Sequence, residues 1–182
     1  MNTNMENKMT NKQLLDLYLT NQREHLSNVI AELLNYRKET HWCWYFLPNI
    51  PGLGNSEQSK RFAIDHKTLA ELLNTSKEFR QNIFLTALLI HRICSANTSN
   101  PEVMQHTLNT VIMADHPVDA LKFRSFITLM HCVHKYSSLE TRRSWSPEIK
   151  ELFLNGLFYY GECERTWNAC SALEDPTVDW GK

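Results

Sequence analysis

The sequence is poor in glycine, which accounts for 5 of 182 residues, below half of the usual ~7%. This shortage argues against collagen-like chains, glycine-rich β-proteins and dinucleotide-binding folds. Neither sign of charge dominates, because 19 Lys and Arg oppose 20 Asp and Glu. A net charge of −1 provides no basic field, so we expect no nucleic-acid polymer as a partner.

Long hydrophobic runs are also missing, since no stretch approaches the ~18 apolar residues of a membrane span. The polar start MNTNMENKMTNK has no hydrophobic segment of the kind that follows the basic start of a secretory signal. The cysteines are an odd set without a CxxC pair: Cys43, Cys94, Cys132, Cys163 and Cys170. Free thiols are therefore favoured over disulfides, and we expect a cytoplasmic protein that does not contact a membrane.

Helical signals recur along the chain, and its length predicts one domain over residues 10–175. Residues 1–9 are expected to form a disordered leader and residues 176–182 a tail. Apolar residues at helical spacing predict an all-α fold of about seven helices. Helix starts are predicted at the capping residues Thr10 with Gln13, Ser56, Ser76, Asn100-Pro101 and Ser146-Pro147. A helix end is predicted at Gly161. A break is expected at Thr20-Asn21.

The segment HWCWYFLPNIPGLG differs in kind from the rest, with four aromatics, two prolines and two glycines in 14 residues. In an extended segment, Trp42 and Trp44 would share one face, opposite His41 and Cys43. Two large rings on one face can form a pocket wall or stack on a planar ligand. The alternative is a buried aromatic lid.

A phosphate could be bound just after this segment. Gly52 and Gly54 allow close approach of the backbone to another group. They precede Ser56, Ser59 and Arg61 at a predicted helix start, where free N–H groups, hydroxyls and a guanidinium suit a phosphate. The GLG sequence can also be a simple turn, and it is not a dinucleotide fingerprint because the third glycine and the preceding strand are missing.

A second candidate is the polar stripe on the predicted helix that begins at Pro117. Asp119, Lys122 and Ser125 lie at i, i+3 and i+6 on one side, and Thr128 extends the row. Such a stripe is either a solvated face or, because it combines small hydroxyls with one lysine, a pocket wall.

Metal and cofactor motifs are weak or missing. His131 and His134 share a helix side and could be joined by His116 or Cys132, but no fourth ligand has a recognisable spacing. HEXXH, GxSxG and P-loop patterns are not found. We therefore expect neither a metal nor a cofactor.

The stretch HWCWYFLPNIPGLGNSEQSKRFAI resembles the signature of the DUF1810 family of small all-helical proteins. The matching positions are His41, Trp42, Trp44, Phe46, Pro48, Gly52, Leu53, Gly54, Ser56, Ser59, Phe62, Ala63 and Ile64. A second stretch, HPVDALKFRSFITLM, is similar at Pro117, Asp119, Leu121, Lys122, Ser125, Thr128 and Leu129, and a third at Gly161 and Thr166. The resemblance spans residues 14–173. The sequence departs from the family pattern at four places. Cys43 stands where the family commonly has Met, and Asn49 where it commonly has Gln. Val118 replaces an acidic residue, and Met113-Ala114-Asp115 replaces an Ile-Phe-Gly lead-in.

The resemblance implies a fold rather than an activity, since the family is defined by unknown function. A looser likeness is to the NADAR helical N-glycosidases, which act on ADP-ribose conjugates. Fold analogy of this kind does not establish function.

Three functions follow as hypotheses. The first is a pocket for a nucleotide-like, phosphate-bearing small molecule, which could hydrolyse an N-glycosidic bond in an ADP-ribose compound. Such a cleavage needs a carboxylate and a proton-transfer partner, for which Asp119 and His41 are the candidates. The second is a non-catalytic module that binds or sequesters such a ligand. The third is a protein-interaction domain that uses the aromatic segment as a hot spot.

Overall fold

The computed structural model describes residues 9–174, without the side chains of residues 139 and 140. Residues 1–8 of the expected leader and the expected tail at 176–182 lie outside the described residues.

Within residues 9–174 the chain forms ten α-helices, one π-helical turn and no strand. The helices are α1 (Asn11–Leu34), α2 (Cys43–Phe46), α3 (Glu57–Arg61), α4 (His66–Thr75), α5 (Lys77–Ser95), α6 (Pro101–Thr107), α7 (Pro117–Tyr136), α8 (Leu139–Arg143), α9 (Pro147–Tyr160) and α10 (Glu164–Glu174), and the π-helical turn is Leu108–Ile112. The all-α prediction is confirmed. Residues 9–174 hold ten α-helices where about seven were predicted, and α2 and α8, of four and five residues, are too short to show a helical period.

Helix ends lie where the polar signals predicted them. The Thr10 hydroxyl accepts a hydrogen bond from the Gln13 N–H, and the Gln13 side chain accepts one from the Thr10 N–H, which completes a capping box. Side chains also cap α3, α5, α6 and α9, at Ser56, Ser76, Asn100 and Ser146. Gly161 ends α9 with a φ of 81°, a value that favours glycine.

The expected break at Thr20-Asn21 is wrong, because α1 is continuous through both residues. The Thr20 hydroxyl donates to the Asp16 carbonyl, and the Asn21 amide donates to the Leu17 carbonyl. Each polar side chain is thus satisfied by the carbonyl one turn back on the same helix, and the helix continues through both residues.

The central helix is α7, which packs against α4, α9 and α10, while α1 packs against α5. α7 and α9 pack closely at Gly156, where an added Cβ would lie 2.7 Å from Cγ2 of Ile127. Buried rings of Phe123, Phe126 and Phe153 fill the adjoining core. Lys122 of α7 lies over the Trp44 ring, so α7 borders the aromatic segment. None of the helices within residues 9–174 is both long and apolar enough to cross a membrane.

Candidate functional site

A cavity of about 550 Å³ lies where residues 44–62 meet the first turns of α7 and the start of α10. Its size falls within the range of small-molecule sites, roughly 300–1,000 Å³. Trp44 contributes an aromatic ring to the wall. The other large apolar side chains of the wall are Leu47, Ile50, Leu53, Phe62, Val118 and Leu121.

The charge of the wall is positive. Lys122, Arg124 and Arg165 line the cavity, and among the described residues no Asp, Glu or His does so. Neither arginine forms a salt bridge within the part of the chain that the structure describes. Arg165 donates a hydrogen bond of 2.7 Å to the Gly52 carbonyl, and Nε of Arg124 is enclosed without a hydrogen-bond partner among residues 9–174. The site therefore favours an anion.

Lys122 is held in place from two sides. Its Nζ lies 2.7 Å from Oδ1 of Asp119 and 3.5 Å from the centroid of the Trp44 ring. A cation over an indole face is attracted by the ring electrons. The ammonium covers one face of Trp44, so a planar ligand has the other face or the ring edge to contact.

Asp119 is buried behind the cavity wall rather than in it. Its Oδ2 lies 2.6 Å from Nζ of Lys38, whose side chain is completely buried, and its Oδ1 receives Lys122. Burial raises the pKa of Asp119, but hydrogen bonds from Lys122 and Lys38 outweigh burial and lower the pKa below its usual value. Burial first, and then the negative charge of Asp119, raises the pKa of the Cys43 thiol. Because one carboxylate oxygen of Asp119 contacts Lys38 and the other contacts Lys122, this buried carboxylate holds Lys122 in position.

The two tryptophans do not share a face, so that expectation was wrong. Cys43–Phe46 is a helical turn, and residues two apart on a helix point to nearly opposite sides. Trp42 is completely buried, and its Nε1 donates a hydrogen bond of 2.7 Å to Oε2 of Glu32. Only Trp44 reaches the cavity.

Glu32, near the end of α1, binds the start of the aromatic segment through hydrogen bonds. Besides Trp42, its carboxylate accepts hydrogen bonds from the backbone N–H groups of Glu39 and Thr40 and from the Thr40 hydroxyl. Burial raises the pKa of Glu32, but these hydrogen bonds together outweigh burial and lower it. The loop that leads to the cavity is therefore anchored by one buried carboxylate.

The predicted phosphate-binding residues are only partly brought to the cavity. Gly54, Ser56 and Ser59 line it, and an added Cβ on Gly54 would lie 2.9 Å from the Ser59 side chain. The Ser56 hydroxyl accepts the Ser59 N–H, and the Ser59 hydroxyl donates to the Ser56 carbonyl, so both serve to start α3. Gly52 has a positive φ of 82° and offers its carbonyl to Arg165, outside the lining.

The polar stripe on α7 faces the protein, because Asp119, Ser125 and Thr128 are all buried. Ser125 lines the cavity, and its hydroxyl lies 2.8 Å from the Thr166 hydroxyl. Thr128 lies outside the lining, where its hydroxyl accepts the Cys163 N–H and donates to the Arg124 carbonyl. It thus joins two of the chain segments that form the wall.

His41 and Arg61 are both exposed and lie outside the cavity lining. The His41 ring packs edge-on against His116, with 5.0 Å between the ring centroids.

Several lining residues were missed by sequence reasoning, namely Asn49, Asn55, Arg124, Cys163 and Arg165. Arg124 is next to Ser125 in the stripe and could have been found from that position. Arg165 carried no signal, since its approach to Gly52 joins residues 113 apart in the sequence.

No group of three His, Cys, Asp or Glu residues could hold a metal ion in the described part of the chain. His131 instead contacts the Phe153 carbonyl through Nδ1, and His134 packs on the Trp145 ring. All five cysteines are free, and Cys163 is the one that is not buried.

Fold and site together define an all-helical protein with a cationic, largely apolar cavity. The chain belongs to the DUF1810 family, described as a protein of unknown function, whose profile matches residues 12–144. The crystal structure of the conserved hypothetical protein Rv1873 from Mycobacterium tuberculosis is similar, with a TM-score of 0.58 and 20% sequence identity over 85% of this chain and 94% of that chain. This likeness shows the fold alone. The curated proteins contain no significant match.

Proposed function

We propose that this protein binds a nucleotide-like small molecule that carries a phosphate-type anion and a planar ring, and that it holds this ligand without cleaving it. The observation that carries the proposal is the sign of the cavity wall, where Lys122, Arg124 and Arg165 meet no carboxylate of the described lining. An anion that enters would pair with Arg124 and Arg165, which form no salt bridge among the described residues, and with Lys122, which shares the Asp119 carboxylate with Lys38.

The remaining lining suits the uncharged part of such a ligand. Val118 and Leu121 are 62% and 55% exposed, although both belong to the apolar wall. A bound ring would cover part of this apolar surface and contact Trp44, and burial of apolar surface favours binding.

Binding without cleavage is favoured because the general acid–base groups are elsewhere. Asp119 is occupied by Lys38 and Lys122, and His41 lies outside the lining. An N-glycosidase needs a carboxylate beside the sugar that develops positive charge. In this arrangement Asp119 holds a lysine instead.

The experiment is calorimetric titration with ADP-ribose and ADP of the wild-type chain, Arg124→Gln and a matched control, Arg143→Gln. Arg143 is an exposed arginine outside the cavity lining. We expect Arg124→Gln to weaken binding about tenfold or more, and Arg143→Gln to leave it unchanged. Equal affinity in all three proteins, or no binding at millimolar ligand, would overturn the proposal.

Mass analysis of the small molecules recovered after incubation of the protein with ADP-ribose or with NAD distinguishes binding of the ligand from its cleavage. We expect both compounds to be recovered intact. Release of nicotinamide would show N-glycosidic hydrolysis instead and would make Asp119 and His41 the residues to substitute.

A further inference from the structure

Two of the cavity's cations, Lys122 and Arg124, lie on nearly opposite sides of α7. Successive residues of an α-helix turn by about 100°, so two positions place these side chains about 200° apart around the axis. The arc between them that faces the cavity carries Val118, Leu121 and Ser125, here called the α7 strip, and all three line the cavity. The two cations therefore border the α7 strip on its two edges instead of standing side by side.

The first edge of the α7 strip combines a cation with an aromatic ring. Nζ of Lys122 is 3.5 Å from the centroid of the Trp44 ring and 2.7 Å from Oδ1 of Asp119. Lys38 contacts the other oxygen of Asp119, so two lysines share one carboxylate and keep one net positive charge. The Lys122 side chain lines the cavity and has 19% of its surface exposed, so a ligand in the cavity can reach it.

The second edge of the α7 strip holds two arginines. The Arg124 side chain runs along Gly161, where an added Cβ would lie 3.4 Å from Cδ of Arg124. Gly161 is four positions before Arg165. The Thr128 hydroxyl joins the same two segments, because it accepts the Cys163 N–H at 2.9 Å one helical turn beyond Arg124. Two guanidinium groups on adjoining segments suit a phosphate.

Nothing in the described lining neutralises these arginines. Arg124 and Arg165 both line the cavity, and neither forms a salt bridge among residues 9–174. The described lining also contains no Asp or Glu. Positive charge is thus present at both edges of the α7 strip, and an anion that occupied one edge would leave the charge of the other edge uncompensated.

We propose that the ligand is a nucleoside 5′-diphosphate, free or esterified, with its first phosphate at Lys122 and its second phosphate at Arg124 and Arg165. This inference rests on the proposed function and narrows its anion to a diphosphate. Such a ligand carries a base, a first phosphate and a second phosphate in the order in which the wall presents Trp44, Lys122 and the arginines.

The cations are already positioned for this ligand. Asp119 and the Trp44 ring hold Lys122, and the Gly52 carbonyl accepts a hydrogen bond of 2.7 Å from Arg165. Side chains that are held before binding lose less conformational entropy when the ligand enters. A nucleoside monophosphate would use Lys122 and leave the arginines without an anion.

The test is calorimetric titration of the wild-type chain with AMP, ADP and inorganic pyrophosphate. We expect ADP to bind about tenfold or more tightly than AMP, because only ADP has a phosphate for the arginines. Pyrophosphate should bind more weakly than ADP, because it has no base to contact Trp44.

A matched pair of variants assigns the second phosphate. Arg124→Gln should weaken ADP binding more than AMP binding and thereby close the gap between the two affinities. Arg143→Gln, at an exposed arginine outside the lining, should keep the gap of the wild-type chain.

The failures are distinguishable. Equal wild-type affinity for AMP and ADP, or an ADP preference that survives Arg124→Gln, would overturn the diphosphate assignment and leave the anion site standing. Pyrophosphate that binds as tightly as ADP would overturn the proposed order of groups, since the base would then contribute nothing. If none of the three compounds binds at millimolar concentration, the proposed function fails, and this inference fails with it. The wild-type comparison needs no variant, so it decides the matter even if Arg124→Gln does not fold.

Discussion

The ammonium of Lys38 lies 2.6 Å from the carboxylate of Asp119, and neither side chain has more than 6% of its surface exposed. Asp119 also holds Lys122, which covers the Trp44 ring at the cavity wall. A buried ion pair of this kind adds little net stability compared with an apolar pair, but removing one partner leaves an uncompensated charge. This pair therefore links the stability of the fold to the geometry of the candidate site.

We expect Asp119→Asn to lower the free energy of unfolding by about 3–5 kcal/mol, because buried Lys38 would lose its counter-charge. The measurement is urea unfolding at neutral pH. Asp115→Asn is the matched control, since Asp115 pairs with Arg37 at the surface, where such a pair contributes about 0–1 kcal/mol. Equal losses in the two variants would contradict the assignment of Asp119 to a buried pair.

Acid should destabilise the protein through Glu32 and Asp119, whose pKa values are both lowered by folding. A carboxyl group with a depressed pKa in the folded state contributes stability that is complete above its unfolded pKa, roughly 4, and is lost as the pH falls through the folded pKa. We expect the free energy of unfolding to decrease gently as the pH falls from 7, because burial lowers the pKa of His91 and of His134, and to decrease more steeply below about pH 4, where the two carboxyl groups are protonated.

Urea titrations across this pH range, on the wild-type chain and on Glu32→Gln, measure the effect. The variant has no carboxyl group at residue 32 to protonate, so its stability should decrease less steeply with acid. An equally steep decrease in both proteins would show that Glu32 does not contribute.

The two tryptophans should separate stability from binding. Trp42→Phe removes the hydrogen bond to Glu32 and should cost about 1–3 kcal/mol of unfolding free energy while ADP affinity is retained. Trp44→Ala removes the ring that lines the cavity and should weaken ADP binding more than Trp42→Phe does. Urea unfolding and calorimetry on the same two variants provide the comparison, and the reverse pattern would contradict it.

Gly156 should resist substitution even though alanine is the better helix former by about 1 kcal/mol. A Cβ at this position would meet Cγ2 of Ile127 at 2.7 Å and push α9 from α7. We expect Gly156→Ala to lower the free energy of unfolding by about 1–3 kcal/mol. The melting temperature should decrease with it. Asn155→Ala, at the neighbouring exposed position, should leave the melting temperature nearly unchanged. A stabilised Gly156→Ala variant would show that the two helices can move apart at little cost.

A water-soluble thiol reagent should modify one cysteine per native molecule. Cys163 is partly exposed in the cavity wall, whereas the other four thiols are buried. Mass analysis after brief labelling should find the adduct on Cys163, and Cys163→Ser should remove it. Rapid labelling of a second cysteine in the native protein would contradict this distribution of burial.

Local chemistry let the sequence predict much of the fold. Helix starts at Thr10, Ser76 and Ser146 depend on a side chain that bonds to the backbone within three residues, and the stop at Gly161 depends on one φ angle. Apolar spacing likewise determined the long helices, because a 3.6-residue period needs no information about distant chain segments. Two of the residues singled out, Trp44 and Lys122, do meet at the cavity.

Only the tertiary structure decided how the polar residues are used. Asp119 looked like a free carboxylate because Lys38, which neutralises it, is 81 positions earlier in the numbering and carries no motif. Trp42 and Trp44 looked equivalent until a single helical turn placed one against Glu32 and the other in the cavity. Arg165 joined the site through the Gly52 carbonyl. Contacts of this kind depend on which distant side chains the packed helices bring together, and a local pattern in the sequence cannot encode that information.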